Sequence, residues 1–311
     1  MSTHTDVTST NPAQPPKHFL TVDDLSAAEL QSVLDLAAEY KAAVENGESH
    51  GDLGGKTLAM LFEKPSTRTR VSFETGMTQL GGHAVFLGPE DTQLDRGEPV
   101  KDTARALSGY VDAIMARVFD HDDLTELAAY AEVPVVNGLT DDAHPCQTLA
   151  DLLTIRELFG GFDDVTAAWV GDGNNVASSF AVGCAMVGVH LTVACPEGHG
   201  LDDEVLDAAS EAGTAPTITT DPEAAVADAD VVYTDVWVSM GEDDDKVDDF
   251  DGFTVDETLL AGTDAKVMHC LPAVRGQEIT DETIESDRSV VWQQAENRMH
   301  AQKALLATLV G

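Results

Sequence analysis

The chain has 311 residues, 43% of them apolar, enough to fill the cores of two α/β domains. Seventeen Lys and Arg stand against 56 Asp and Glu, a formal net charge of −39. That charge repels nucleic acid and anionic membranes on approach and argues against both as partners.

The acids are spread along the whole length, the pattern of a solvated shell suited to concentrated salt rather than of a binding tail. Residues 1–17, MSTHTDVTSTNPAQPPK, lack a basic n-region and an apolar h-region and are expected to form a flexible tail. No apolar run approaches about 20 residues, so no membrane span is expected. Cys146, Cys184, Cys195 and Cys270 show no C-x-x-C spacing, which predicts neither a zinc site nor a disulfide framework and fits a cytoplasmic protein.

From residue 19 onward helical and strand-like runs alternate, the pattern of parallel sheets with helical crossovers. Ser26 and Glu29 have capping-box spacing; Leu30, Val33, Leu34 and Ala37 form one apolar stripe, and Gly47 lies past the end of the predicted helix. Strands follow at TLAMLF (57–62), HAVFLG (83–88), VDAIMARV (111–118) and VPVVNGL (133–139), each apolar enough to be covered on both faces. They predict one sheet of about four strands.

HPCQTLADLLTIRELFG, starting at 144, reads as a longer helix, with a domain boundary inside it near residue 150. VTAAWVGD, HLTVACP, APTITT, VVYTDVW and KVMHCLPA then give a second set of strands. The closing VVWQQAENRMHAQKALLATLV is a helix able to pack back on the first domain. The fold class is α/β: two domains, each a parallel β-sheet flanked by helices.

Five short motifs carry polar chemistry. In FEKPSTRTRVSFE (62–74), Ser66, Thr67 and Thr69 offer hydroxyls at a helix start, and Arg68 adds a forked cation; together they suit a phosphate. The ordinary alternative is an N-capped surface helix with its arginines in salt bridges. HPCQ (144–147) stands at a strand-to-helix junction, where open α/β sheets place ligands, or is simply a helix start with Pro145 in the first turn. GDGNNVASS (171–179) imitates a dinucleotide fingerprint but carries Val176 at the third glycine position, so nicotinamide binding is weakly supported. Asn174 and Asn175 could present amides to a small polar ligand, or form a turn feeding the helix.

DVWVSMG (235–241) puts Asp235 at the end of an apolar strand, where a carboxylate could hold an ammonium group. The acidic run after it, EDDDKVDDFD, reads as a solvated loop without chemistry. In HCLPA (269–273), Cys270 alone reads as a small buried hydrophobe, and Arg298 alone as a surface arginine.

Taken in order, S-T-R-T, H-P-x-Q, G-D-x-x-N-N, D-x-W-x-S-M-G and H-C-L-P resemble the aspartate/ornithine carbamoyltransferase family, and within it the ornithine-using branch. The resemblance covers residue 18 to the end. It implies transfer of the carbamoyl group from carbamoyl phosphate to the side-chain amine of L-ornithine, giving L-citrulline and phosphate, without metal or organic cofactor. It implies a carbamoyl phosphate domain at 18–149 joined by the helix 294–311, an ornithine domain at 150–293, and a homotrimer or a multiple of trimers.

By the same resemblance, Ser66, Thr67, Arg68, Thr69 and Arg117 meet carbamoyl phosphate, and His144 with Gln147 holds its carbamoyl end. Gln93 is a further contact near a subunit interface. Asn175, Asp235, Ser239 and Met240 meet ornithine, and Cys270, Leu271 and Arg298 complete the site, with Arg117, His144 and Cys270 in catalytic roles. Other acceptors, namely aspartate, N-acetylornithine or putrescine, remain open, as does a non-catalytic binding protein on the same fold. Asp235 would repel the second carboxylate of aspartate.

Overall fold

The computed structural model describes residues 17–239 and 244–311; residues 1–16 of the expected 1–17 tail and the Met240–Gly241 part of the S-M-G loop lie outside them, while Lys17 pairs with Glu29. The first sheet has four parallel strands in the order β2-β1-β3-β4. It is built from α1 (Ala27–Glu45), β1 (Thr57–Phe62), α2 (Thr67–Gln79), β2 (His83–Leu87), α3 (Val100–Ser108), β3 (Ala113–Arg117), α4 (His121–Tyr130) and β4 (Val135–Leu139). α5 (Pro145–Phe159) leads from it to the second sheet.

The second sheet contains five parallel strands in the order β7-β6-β5-β8-β9. Its elements are β5 (Thr166–Val170), α6 (Asn175–Val187), β6 (His190–Ala194), α7 (Asp203–Ala212), β7 (Thr217–Thr219), α8 (Pro222–Val226), β8 (Val231–Thr234), β9 (Lys266–His269) and α9 (Asp281–Ile284). The chain closes with α10 (Val291–Val310).

The local signals explain the elements. Ser26 Oγ accepts from Glu29 N while Glu29 Oε2 accepts from Ser26 N, so the capping box is formed at the start of α1. Leu30, Val33, Leu34 and Ala37 are fully buried with Leu149, Leu152 and Leu153 of α5 and Ala301, Ala304 and Leu305 of α10 in one core. That shared core returns the C-terminal helix to the first sheet.

β1, β3 and β4 are buried as their apolar runs predict. β2 is not covered on both faces: His83 and Val85 are exposed. It stands at one edge of the sheet with a neighbour on one side only, whereas the other edge strand, β4, is flanked on its outer side by the Phe19–Val136 bridge. In both sheets the chain leaves the C-terminal ends of the strands toward one crevice, the usual ligand position of open α/β sheets. Among the described residues no helix is long and apolar enough to cross a membrane.

Candidate active site

A cavity of about 930 Å³ fills this crevice, large enough for two small polar molecules. One wall comes from the first sheet and α10. Ser66 caps α2, its Oγ accepting from Thr69 N at 3.3 Å, so the first-turn N–H groups of that helix face the cavity mouth without intrahelical acceptors. Arg68 lines the cavity from this turn, Arg117 from the end of β3, and Arg298 from α10. The Nε atoms of all three are buried without a hydrogen-bond partner.

Arg70, two residues after Arg68, behaves differently. It pairs with Glu74 at 3.0 Å and stacks 3.8 Å from the centroid of the Phe86 ring, outside the cavity. The ordinary reading of the arginine run therefore holds for Arg70. It fails for Arg68, which makes no ion pair among the described residues.

His144 sits at the start of α5, only 4% exposed, with its backbone N–H on Ser179 Oγ at 2.8 Å and Nδ1 unpartnered. Burial, then the guanidiniums of Arg298, Arg117 and Arg68, hold its pKa well below the ordinary histidine value. The imidazole is neutral at pH 7 and offers one N–H. Burial and the neighbouring guanidinium of Arg298 also pull Arg117 down to about 10, still cationic at neutral pH. Three cations and a neutral donor around one recess form a preorganised anion cradle.

The opposite wall comes from the second sheet and is anionic. Asp235, at the end of β8, is 5% exposed; its Oδ2 accepts from Asn174 Nδ2 at 3.1 Å and its Oδ1 from Cys270 Sγ at 3.0 Å. Burial, followed by Asp235, pushes the Cys270 thiol well above its usual value. Cys270 is thus a protonated donor to Asp235, not a thiolate nucleophile.

The loop after β9 is fixed from behind. His269 Nδ1 accepts from Leu271 N at 2.9 Å, which leaves its proton on Nε2 for Glu278 Oε1 at 3.0 Å. Asp235, His269 and Cys270 bring one ligand atom each to within 4.8 Å of one another, a spacing a metal could bridge. The thiol proton and the Leu271 N–H already occupy two of the three atoms, so the donor set is a hydrogen-bond network and fits a metal poorly.

Of the residues singled out in the sequence, Ser66, Thr67, Arg68, Arg117, His144, Asn175, Asp235, Ser239, Cys270, Leu271 and Arg298 all line this cavity. Thr69 stands just behind it, fully buried, accepting from Arg298 Nη2 at 2.9 Å. Gln147 is also fully buried; its Nε2 donates to Asp151 Oδ1 at 2.7 Å and its Oε1 has no partner. Gln93 is exposed and lies outside the cavity lining. Met240 lies outside the described residues.

The amides of the G-D-x-x-N-N motif are engaged within the fold. Asn174 Oδ1 caps α6, and Asn175 Nδ2 donates to Thr140 O at 2.5 Å. A Cβ on Gly173 would fall 2.5 Å from the backbone of Gly200, so this glycine serves the close approach of two loops rather than a pyrophosphate.

Sequence reasoning missed several cavity residues. Lys64, 2% exposed and paired with Asp141, sits inside the quoted run FEKPSTRTR but was overshadowed by its arginines. Asp172, His199 and Lys246 line the second wall. Lys246 belongs to the acidic run read as a solvated loop without chemistry; its residues Asp244–Phe250 form a 3-10 segment, and this lysine lines the cavity. Its one cation in EDDDKVDDFD was the available signal.

Known proteins agree with this geometry. The family model "Aspartate/ornithine carbamoyltransferase, carbamoyl-P binding domain" matches residues 17–157, and "Aspartate/ornithine carbamoyltransferase, Asp/Orn binding domain" matches residues 163–309. The chain is 63% identical over 296 residues to the ornithine carbamoyltransferase of Haloquadratum walsbyi, covering 94% of this chain and 97% of that relative. It is 51% identical to the anabolic ornithine carbamoyltransferase of Pyrococcus furiosus, covering 95% and 96%. The solved structure of ornithine carbamoyltransferase from Pyrococcus furiosus superposes with a TM-score of 0.92 at 50% identity over 96% of this chain and 98% of that one. That of the Thermus thermophilus enzyme gives 0.87 at 43% identity over 96% and 100%. With the fold, the five motifs and both halves of the chain accounted for, this protein belongs to the aspartate/ornithine carbamoyltransferase family.

Proposed function

We propose that this chain transfers the carbamoyl group of carbamoyl phosphate to the side-chain amine of L-ornithine, giving L-citrulline and phosphate. The observation that carries the reading is the pairing of walls across one cavity: three guanidiniums and a neutral imidazole face the buried Asp235–Cys270 pair. A doubly charged phosphoryl group and an amino acid with two amines have complementary needs.

Ser66, Thr67, Thr69, Arg68, Arg117 and Arg298 hold the phosphoryl end. The N–H of His144 and the guanidinium of Arg117 face the carbonyl oxygen, where negative charge grows as the amine attacks. Gln147 holds the carbamoyl amide through its unpartnered Oε1. Asp235 takes the α-ammonium of ornithine, with Asn175, Ser239, Met240 and Leu271 around the chain and Cys270 keeping the carboxylate in place.

The nucleophile is the neutral δ-amine. A free alkylamine titrates near about 10.4, and burial away from water favours loss of its proton. The new N–C bond forms as the C–O bond to phosphate breaks, and one nitrogen proton leaves with the phosphate, so that dianionic carbamoyl phosphate becomes hydrogen phosphate. The same groups serve the reverse reaction, so the site fits arginine synthesis and arginine breakdown alike.

We assign residues 18–149 with 294–311 to the carbamoyl phosphate domain and 150–293 to the ornithine domain. We further propose, from the family resemblance, a trimer or a multiple of trimers; the exposed position of Gln93, outside its own cavity, is compatible with its reaching a neighbouring subunit. The expected location is the cytoplasm. A coupled measurement of citrulline and phosphate from carbamoyl phosphate and ornithine tests the reading; equal yields are expected, and phosphate without citrulline would contradict it.

A further inference from the structure

We propose that Asp151 is a positioning residue for the carbamoyl group: it holds the side chain of Gln147 with its carbonyl oxygen free for the carbamoyl amide, and it ties that orientation to the loop on the acceptor side of the site. This inference rests on the reading of Gln147 given above and adds a residue that the reacting atoms do not touch. A glutamine amide has two ends of nearly the same shape and opposite hydrogen-bonding sense. The carbamoyl NH2 offers donors, so only the oxygen end of Gln147 suits it. Something must keep that end free.

Asp151 stands one turn along α5 from Gln147, and both are fully buried. Gln147 Nε2 donates to Asp151 Oδ1 at 2.7 Å, while Gln147 Oε1 has no partner among the described residues. The same Oδ1 accepts from Gln294 Nε2 on α10 at 2.8 Å. Gln294 cannot turn over, because its Oε1 already accepts from the backbone N–H of His269 at 2.9 Å. Oδ1 therefore meets two amide donors and serves only as an acceptor. The other oxygen, Oδ2, accepts from the Tyr233 hydroxyl at 3.1 Å; a proton on the carboxyl would sit there, where the hydroxyl can turn to accept it. Gln147 keeps its orientation in either protonation state.

The partners of Asp151 also reach the acceptor side. His269 precedes Cys270 and Leu271, which line the cavity, and Tyr233 lies on β8 two residues before Asp235. Gln294, Asp151 and Gln147 thus form an unbroken hydrogen-bonded path from the end of β9 to the first turn of α5, where His144 stands. An apolar side chain would fill this buried place at a lower desolvation cost. The amide that it orients accounts for a carboxyl here.

The test compares ligands with and without the amide. Inhibition against carbamoyl phosphate is measured at one pH and salt concentration with two compounds: phosphonoacetamide, in which a methylene replaces the bridging oxygen and the amide is kept, and inorganic phosphate, which has no amide. In Gln147→Ala the inhibition constant for phosphonoacetamide should rise about tenfold and that for phosphate stay within about twofold. Asp151→Ala should give the same pattern, with a rise of about fivefold or more for phosphonoacetamide alone. The double variant should stay within about twofold of Gln147→Ala, because both changes act through one contact. Asp151→Asn, whose oxygen can take both amides while its NH2 meets the Tyr233 hydroxyl, should stay within about threefold of the wild type.

Wild-type inhibition by phosphonoacetamide in Asp151→Ala overturns the proposal. So does an equal loss on phosphonoacetamide and phosphate, which would mean that Asp151 only holds the fold, and so do losses that multiply in the double variant. Asp151→Ser, whose one short hydroxyl cannot serve both amides, carries the same comparison if the alanine variant does not fold. A Gln147→Ala that treats the two inhibitors as the wild type does would remove the role of Gln147 and the proposal with it, while citrulline formation by the wild type would still stand. A wild type that forms no citrulline at all would instead remove the underlying reaction, independently of the variants.

Discussion

The two walls of the cavity solve opposite problems in one chain. The first holds three buried guanidinium Nε atoms and a histidine Nδ1 with no partner, a set of donors held ready at the cost of folding stability. The second is satisfied from within: Asp235 already accepts from Asn174 and Cys270, and Asp172 from Lys246. A cradle with unmet donors binds its anion by completing bonds, whereas a satisfied wall binds by exchanging or sharing them. The contrast is sharper in a protein of net charge −39, since this cationic recess lies inside an acidic shell.

Breaking the second wall should cost most. Asp235→Asn keeps the shape and removes the charge, leaving the acceptor ammonium without its buried partner, worth about 3 to 5 kcal/mol, or about 10² to 10³ in kcat/KM for ornithine. Carbamoyl phosphate binding should be nearly intact, as kinetics with each substrate varied in turn will record. On the first wall, Arg68→Lys loses the two-pronged contact and should reduce kcat/KM for carbamoyl phosphate by about 10², equivalent to about 3 kcal/mol. Normal kinetics in that variant would remove Arg68 from the cradle.

The seam between the walls gives a smaller, pH-dependent effect. Asp151 on α5 is fully buried and accepts from Gln147 and Gln294 on one oxygen and from Tyr233 on the other. Burial raises its pKa to about 7 against those hydrogen bonds. The folded chain therefore binds this proton more tightly than the unfolded chain. That stabilisation is full below the unfolded value near 3.8 and is lost as pH rises through about 7. Between pH 5 and 8 it amounts to a few kcal/mol at most. Asp151→Asn should flatten the fall in Tm over this interval; an unchanged slope would place the titration elsewhere.

The smallest effect per residue, though spread over many, is salt. The Debye length falls from about 30 Å at 0.01 M to about 3 Å at 1 M, so repulsion within the acidic shell is strong in dilute buffer and screened in molar salt. Tm and activity should both rise with salt. The Haloquadratum walsbyi relative agrees with this halophilic character. A Tm indifferent to salt would separate the acidic composition from stability.

Much of this was legible in the sequence because it is local. The Ser26–Glu29 box, the apolar runs of β1 and β3, and Ser66 as a helix cap each depend on residues within one turn or strand. What depended on neighbours far along the chain was not. HAVFL reads as a covered strand, but it lies at a sheet edge with no segment like the Phe19 bridge of β4 beside it among the described residues, and His83 and Val85 are exposed. Arg68 and Arg70 look alike in sequence, and only the packing of Phe86 and Glu74 sends one outward. The neutral state of His144 requires α2, β3 and α10 to bring three arginines around it. Lys246 was hidden by the acids on either side, since a charge run alone cannot disclose which member turns inward.

The division of labour between the walls is tested most directly by one initial-rate experiment. Citrulline formation is followed with both substrates varied, on the wild type, Arg68→Lys and Asp235→Asn. The account predicts a crossed result: Arg68→Lys raises KM for carbamoyl phosphate and leaves that for ornithine within about threefold, and Asp235→Asn does the reverse. Equal losses on both substrates in both variants, or either variant acting on the other's substrate, would contradict it.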